Sequence, residues 1–273
     1  ALWDIKGKAL GVPVYELLGG RVRDRVKLYA NAWYQGGASP DVMARQARET
    51  VARGFQGLKF NPFIRREGLD FYRLDNEILS VGVDCVAAVR EAIGPSVDLF
   101  IDCNGIFNTV GNAVRAAKQL EPYNIGFIEE PIPHENLAEM AYFRSKVDIP
   151  TATGERLFTA FTFQQLLEIK GADIVQPDLC HCGGILEARK IAAIADTHYV
   201  AVAPHNPNGA IGNGATAQLA ACVPNFLVLE YFPPEPWRHE VVTDSHVVQD
   251  GWLQIADTPG LGVQFDEQAA RQR

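Results

Sequence analysis

Three acidic residues stand out because each one closes a short segment with the composition of a β-strand. These residues are Asp102, Glu129 and Glu155. If the three segments are neighbouring parallel strands, their carboxyl ends meet at one edge and the negative charges repel. A hard divalent cation relieves that repulsion, and ligands that are all oxygen favour Mg²⁺ over zinc. The spacing predicts one Mg²⁺ per chain; the alternative is that each acid caps a helix or pairs with a basic neighbour.

A histidine and an aspartate close two further segments. A carboxylate such as Asp178 beside the imidazole of His205 fixes the tautomer of the ring and supports its protonated form, as a general base requires. The alternative is a structural histidine. Lys59 ends another segment between two apolar residues, which favours a role in holding a substrate carboxylate over that of a solvated lysine.

The cysteines give a weaker signal. Cys180-His181-Cys182 suggests zinc, but no second cysteine pair is present, as a structural zinc site normally needs. The odd count of cysteines predicts reduced thiols in a cytoplasmic protein. Glycines at the start of a later helix, Gly209, Gly212 and Gly214, give a weak indication of an anion contact.

The elements that carry these residues alternate along the chain. Short apolar segments alternate with helical patterns, which predicts an α/β fold with a parallel sheet. The predicted strands are 26–33, 55–61, 97–103, 125–130, 151–155, 173–178, 200–204 and 226–231, and the helices are 40–53, 71–93, 109–121, 135–146, 161–170, 184–197 and 209–223. Eight strands favour a closed TIM-type barrel over an open doubly wound sheet, whose phosphate-binding turn has only a weak match at 34–39.

Composition limits the classes of partner. The chain has 273 residues, 47% hydrophobic residues and a net charge of −8, without a basic run, which argues against nucleic acid or a membrane surface as partner. No apolar segment is long enough to span a membrane, and the first residues lack the order of a signal peptide. Residues 1–18 read as one amphipathic helix that stops at Gly19-Gly20. Because this helix has no start signal, we expect the chain to be cut.

The ordered set of these motifs resembles a known family. Lys59-x-Asn61, Asp102-x-Asn104-Gly105, Glu129-Glu130-Pro131, Gly154-Glu155-Arg156, Gln176-Pro177-Asp178, Pro204-His205-Asn206-Pro207 and Glu230 resemble the enolase superfamily, mandelate racemase subgroup, and most of all its galactonate and gluconate-type sugar-acid dehydratases. The resemblance covers essentially the whole chain.

The resemblance implies a (β/α)7β barrel and a role for each matching residue. Asp102, Glu129 and Glu155 would bind Mg²⁺, supported by Glu130, and the His205–Asp178 pair would be the base. Lys59 and Glu230 would flank the substrate carboxylate, with Asn61, Asn104 and Arg156 as further substrate-binding residues.

The chemistry implied by the resemblance is the dehydration of a sugar acid. Removal of the proton next to the substrate carboxylate gives an enediolate that the metal stabilises, and loss of the 3-hydroxyl then gives a 2-keto-3-deoxy acid. The enzyme would be a hydro-lyase acting on an aldonate such as galactonate or gluconate. The alternatives are a catalytically silent metal-binding relative and a racemase or epimerase of the same superfamily.

Two residues depart from the family pattern. Asn61 replaces a second lysine, which leaves no base opposite His205, and Asn104 replaces the histidine that usually protonates the leaving hydroxyl. One hypothesis is that His205 both takes the C2 proton and returns it to the hydroxyl.

The resemblance also predicts the organisation of the chain. Residues 1–25 would be the end of a capping domain that is largely absent here, 26–231 the barrel, and 232–273 a segment that packs back toward the cap. Substrate choice would depend on the cap and on the loop 62–75, which carries Arg65, Arg66 and Arg73. A homo-oligomer is expected.

Overall fold

The computed structural model describes residues 1–35, 39–63, 76–233 and 238–272. The eight barrel strands are β1 Arg25–Ala30, β2 Gly57–Phe60, β3 Asp98–Asp102, β4 Phe127–Glu129, β5 Thr151–Thr153, β6 Ile174–Val175, β7 Ala201–Val202 and β8 Leu229–Tyr231. The helices before and between them are α1 Leu2–Leu10, α2 Val14–Leu17, α3 Pro40–Ala52, α4 Asn76–Ile93, α5 Val110–Leu120, α6 Leu137–Arg144, α7 Thr159–Glu168, α8 Ile185–Thr197 and α9 Ala210–Cys222.

The strands close into a parallel barrel in chain order. Each strand from β1 to β7 pairs with the next, and β8 pairs with β1, where Leu28 lies opposite Leu229. Strands β7 and β8 meet only through an isolated bridge between Val202 and Phe226 within the described chain. The closed α/β barrel predicted from the sequence is confirmed, with all eight strands and seven connecting helices; the first residues of the predicted helix 71–93 lie outside the described ranges, as do Arg65, Arg66 and Arg73.

The chain after β8 packs against β1 and α9. It forms α10 Arg238–Val241, the strands β9 Val242–Asp244, β10 Val247–Gln249, β11 Trp252–Gln254 and β12 Val263–Phe265, and α11 Glu267–Arg271. Strand β11 runs antiparallel to the first half of β1, with Arg25 opposite Gln254, and β9 pairs with β12. Strand β1 is therefore paired with two segments from the end of the chain.

The side chains that point into the barrel are aromatic in its interior and acidic at its mouth. Phe100 and Phe127 stack inside the barrel with ring centroids 4.2 Å apart, and Tyr29 meets Phe100 edge-on at 5.2 Å. Side chains two residues apart on a strand share a face. Asp102 and Glu129 therefore point into the barrel directly above this aromatic layer, at the carboxyl ends of the strands.

The predicted continuous helix over residues 1–18 is wrong. Helix α1 ends at Gly11, whose φ of 70° suits glycine, and Pro13 precedes α2. The break lets α1 pack against the C-terminal segment: a Cβ on Gly7 would lie 2.9 Å from the Gly260 Cα, so two glycines are needed for this contact. The predicted stop at Gly19-Gly20 is present, with positive φ at both residues. None of the described helices is long and apolar enough to cross a membrane.

Candidate active site

The three predicted carboxylates converge at the mouth of the barrel. Each of Asp102, Glu129 and Glu155 offers an oxygen that lies within 4.8 Å of the others. Asp102 and Glu129 are register partners on β3 and β4. Glu155 follows Gly154, which has a φ of 139° and on which a Cβ would lie 3.0 Å from the backbone nitrogen of Gln176. Only glycine allows the chain to turn this closely and bring Glu155 to the cluster.

The chemistry of this donor set fits a hard divalent cation. The ligand atoms are all carboxylate oxygens, and Glu129 is fully buried. Burial, followed by the nearby charge of Asp102, raises the pKa of Glu129 well above its ordinary value. A cation held between the three groups would remove both penalties, and Mg²⁺ prefers this kind of ligand.

Lys59 lies buried beneath the cluster and contacts two of its members as well as Glu230. Its ammonium is 2.7 Å from Glu129 Oε2, 3.4 Å from Asp102 Oδ2 and 2.8 Å from Glu230 Oε1. Burial alone would lower the pKa of Lys59, but Glu129 and Glu230 outweigh it and raise that pKa well above its ordinary value. Lys59 is therefore a permanent buried cation and not the solvated lysine of the alternative interpretation.

His205 and Asp178 form a hydrogen-bonded pair on the same mouth. The ring Nδ1 lies 2.8 Å from Asp178 Oδ2, and Nε2 lies 3.3 Å from Glu155 Oε2. Burial opposes the charged ring, but the hydrogen bond to Asp178 and the charges of Glu230 and Glu155 outweigh it and raise the pKa of His205. The Asp178 carboxylate fixes Nδ1 as the donor, so Nε2 faces the carboxylate cluster and is free to accept a proton.

Glu230 is fully buried and accepts three hydrogen bonds. Its Oε1 receives Asn31 Nδ2 and Lys59 Nζ, both at 2.8 Å, and its Oε2 receives the backbone N–H of Asn206 at 2.7 Å. Burial alone would raise the pKa of Glu230, but Lys59 and His205 lower it. Glu230 is therefore held ionised, and it fixes the position of Lys59.

The two asparagines that depart from the family pattern contact each other. Asn61 Nδ2 donates to Asn104 Oδ1 at 2.9 Å, and the backbone N–H of Asn104 donates to Asp102 Oδ1 at 2.9 Å. Asn104 has a φ of 48°, a left-handed conformation that asparagine adopts more readily than most residues. Neither side chain ionises, so neither residue can itself act as an acid or a base.

Glu130 and Arg156 lie behind the cluster. The Arg156 guanidinium donates to Glu130 Oε2, and Nε lies 3.8 Å from Glu155 Oε1. Burial, followed by the charge of Glu155, raises the pKa of Glu130 to about 7. The guanidinium also packs closely against Gly105: a Cβ on Gly105 would lie only 2.7 Å from Arg156 Nη2. Arg156 thus supports the ligand-bearing loops through Glu130.

Several polar residues at the site had no individual role in the sequence interpretation. Asn31 follows β1 and holds Glu230, while Gln176 Nε2 donates to Glu129 Oε2 at 2.6 Å. Asn206 and Asn208 lie one and three residues after His205. The sequence signal that could have identified these residues is their position next to the predicted strand ends. That signal is weak because an amide does not ionise and so does not by itself indicate a catalytic site.

The Cys180-His181-Cys182 motif follows Asp178. Its two thiols differ in environment: Cys180 is exposed and Cys182 is buried. The backbone N–H of Cys180 donates to Asp178 Oδ1 at 2.7 Å, so this segment helps to orient the His205–Asp178 pair. All five cysteines are free thiols.

A closed α/β barrel with three carboxylates and a histidine–aspartate pair at its mouth defines the class of domain. The family model described as enolase C-terminal domain-like matches residues 42–269. The chain belongs to this family, and the resemblance to the enolase superfamily is confirmed.

The chain is similar in sequence to several proteins named as sugar-acid dehydratases. It is 40% identical over 271 residues to D-gluconate dehydratase of Thermoproteus tenax and 37% identical over 271 residues to D-xylonate dehydratase of Haloferax volcanii, with 98% and 97% of this chain covered. It is also 40% identical over 277 residues to D-galactonate dehydratase of Xanthomonas oryzae pv. oryzae, again with 98% covered. The chain spans 53%, 66% and 70% of the length of these three proteins.

Solved structures of the same superfamily have a similar fold. The mandelate racemase/muconate lactonizing enzyme from a Sulfitobacter species superposes with a TM-score of 0.93 at 35% identity, covering 99% of this chain and 69% of that one. A member of the enolase superfamily from Salmonella Typhimurium gives a TM-score of 0.93 at 29% identity, covering 100% of this chain and 74% of that one.

Proposed function

We propose that this chain is the catalytic barrel of a Mg²⁺-dependent sugar-acid dehydratase, a hydro-lyase that acts on an aldonate such as galactonate or gluconate. The observation that carries the proposal is the position of His205 Nε2, 3.3 Å from Glu155 Oε2 and backed by Asp178. This position would bring the proposed base beside the cluster that would hold the metal. The similar proteins, which include gluconate, xylonate and galactonate dehydratases, support this class of reaction.

Asp102, Glu129 and Glu155 would hold one Mg²⁺. When bound, Mg²⁺ supplies positive charge to the substrate carboxylate as negative charge develops there. The Lys59 ammonium provides a second, fixed positive charge at the same place, and Glu230 keeps it in position. Because these groups are buried, their charges act in a medium of low dielectric constant and need no reorganisation during the reaction.

His205 would remove the proton from C2. The neutral imidazole accepts it at Nε2, and Asp178 stabilises the imidazolium that results. The electron pair left at C2 moves into the carboxylate group and then expels the 3-hydroxyl.

We further propose that His205 also returns this proton to the leaving hydroxyl, on the same face of the substrate. The support is the Asn61–Asn104 contact, in which two amides stand where the family pattern that the sequence resembles has a lysine and a histidine. Water leaves, the enol ketonises, and the product is a 2-keto-3-deoxy acid.

The test is NMR in D₂O with Mg²⁺ and a panel of five- and six-carbon aldonic and aldaric acids. For one or more acids, we expect the C2 proton signal to disappear and a new 3-deoxy methylene signal to appear. After treatment with a chelator, we expect neither change. His205→Asn should abolish both; product formed by that variant would contradict the single-histidine route. Exchange without water loss would favour a racemase or epimerase, and no exchange by a metal-loaded protein would favour a silent relative.

The organisation of the chain is also proposed. We divide it into the end of a capping domain at 1–25, the barrel at 26–231 and a C-terminal segment at 232–273. Packing of α1 against Gly260 and Leu261 supports a link between the first and last parts. A homo-oligomeric state remains a proposal, which light scattering after size-exclusion chromatography would test.

A further inference from the structure

The junction between β7 and the segment that leads into β8 consists of one isolated bridge in the described part of the chain, and it lies next to the proposed base. Val202 N–H donates to Asn225 O at 2.9 Å, and Leu227 N–H donates to Val202 O at 2.8 Å. In a parallel ladder, the next N–H facing β8 would belong to residue 204, which is a proline and has none. The described residues show no further backbone pairing between these strands toward the mouth.

The side chain of Asn206 takes the place of the missing ladder. Its backbone N–H donates to Glu230 Oε2 at 2.7 Å, and its Nδ2 donates to the Glu230 carbonyl at 3.1 Å. One residue therefore joins the end of β7 to both the backbone and the side chain of β8. Asn206 has no exposed surface, so water does not compete for these bonds.

Helix α9 fixes the orientation of this amide. Asn206 Nδ2 also donates to Asn213 Oδ1 at 2.6 Å, and its Oδ1 accepts from Thr216 Oγ1 at 3.3 Å. Both amide protons and the amide oxygen therefore form hydrogen bonds. If the amide were flipped, its oxygen would face the two acceptor oxygens that now receive bonds from Nδ2. Aspartate has the same shape but lacks the donors, so only the amide satisfies all three partners of the side chain, which are the Glu230 carbonyl, Asn213 Oδ1 and Thr216 Oγ1.

We propose that Asn206 is a positioning residue that closes the β7–β8 junction at the mouth and so sets the distance between His205 and the Glu230–Lys59 pair. Asn206 follows the base in sequence and holds the group that fixes the buried cation. A shift of the junction would move the proton-accepting nitrogen relative to the substrate carboxylate while leaving the metal ligands on β3 to β5 in place. This inference rests on the proposed function for its catalytic consequence, but not for its structural part.

The test compares Asn206→Ala with Asn225→Ala in the full chain. Asn225 is a matched control because its Nδ2 also donates two hydrogen bonds, to Ala192 O at 3.1 Å and Val200 O at 2.9 Å, at the opposite end of β7. We expect Asn206→Ala to lower kcat for the best acid of the panel by about 100-fold, as a misplacement of about 1 Å does, with the Kd for Mg²⁺ unchanged within about twofold. Asn225→Ala should lower stability but leave kcat within about threefold of the wild type.

A second measurement does not depend on activity. Hydrogen exchange followed by mass spectrometry should show faster exchange of residues 203–208 and 228–231 in Asn206→Ala, and in Asn225→Ala only of segments at the other end of β7. Equal kcat values for the two variants would overturn the catalytic part of the proposal, and unchanged exchange at the mouth would overturn the closure of the junction. If the wild type itself exchanges no C2 proton, the proposed function fails while hydrogen exchange still decides the junction. Asn213→Ala, which removes one partner of the amide, replaces Asn206→Ala if that variant does not fold.

Discussion

Replacing Lys59 by methionine removes the ammonium that lies among Glu129, Glu230 and Asp102. Lys59 and the two glutamates are fully buried, so Lys59→Met leaves the two glutamates without this counter-charge and shielded from water. Loss of one partner from a buried ion pair costs about 3–5 kcal/mol. With an unfolding entropy near 2 cal/mol/K per residue, that loss lowers the Tm of a chain of this length by about 5–9 °C.

The assay is urea unfolding and thermal unfolding in the absence of added divalent metal. Lys27→Met is the control, because Lys27 Nζ lies 2.6 Å from Asp98 Oδ2 but both side chains are partly exposed. A pair of that kind contributes about 0–1 kcal/mol, so Lys27→Met should unfold close to the wild type. Lys59→Arg keeps the charge and should lose less stability than Lys59→Met.

Magnesium provides the second arm of this experiment. A ligand at a hundred times its Kd stabilises the folded state by about 2.7 kcal/mol. Saturating Mg²⁺ should stabilise Lys59→Met more than the wild type, because the divalent charge replaces the missing ammonium among the same carboxylates. If Lys59→Met unfolds at the same urea concentration as Lys27→Met, with the same slope, Lys59 is not the counter-charge of the site and the reasoning is refuted.

Two further predictions concern groups outside the site. Burial, followed by the hydrogen bond to Asp257, raises the pKa of Tyr15 from 10.0 to about 12, so the folded protein keeps a proton that the unfolded chain loses. The free energy of unfolding should therefore fall as the pH rises from 10 to 12. Urea unfolding midpoints should show a smaller fall over this range in Tyr15→Phe than in the wild type. If the urea midpoint of the wild type falls with pH no more steeply than that of Tyr15→Phe, the proposed contribution of Tyr15 is wrong. Among the thiols, exposed Cys180 should react first with a disulfide reagent, whereas Cys182, whose pKa burial raises to about 12, should stay protected until unfolding. The fast phase should disappear in Cys180→Ser; its persistence would show that another thiol is accessible.

Sequence periodicity predicted the barrel because strands and helices bury different repeats of apolar residues. It also located Asp102, Glu129 and Glu155, because carboxyl ends of parallel strands meet at one mouth. It failed at residues 1–18, where the apolar pattern continues through Gly11 and Pro13 although the backbone turns there. The contact that decides this turn is with Gly260, far along the chain, and no local pattern contains it.

The supporting residues were harder to predict for a different reason. Asn206 and Gln176 act through the direction of an amide, which depends on partners from other strands and helices. Likewise, the family resemblance implied that Glu230 lies beside the substrate carboxylate, but only the structure shows the three donors that hold Glu230 ionised beside Lys59. Which charge a buried acid carries follows from its neighbours in space and cannot be read from spacing alone.

The two-sided pairing of β1 has a consequence for how the chain folds as it is synthesised. Arg25 to Lys27 pair with Trp252 to Gln254, and Leu28 to Ala30 pair with Leu229 to Tyr231, so β1 completes its hydrogen bonds only when nearly the whole chain has emerged. Until then a growing half-barrel exposes the edges of both β1 and its most recent strand, which can pair with other chains. Contacts of such long sequence separation also slow folding. Barrel closure is therefore a late event, and a chain that stops before Trp252 would leave the first half of β1 as an open edge.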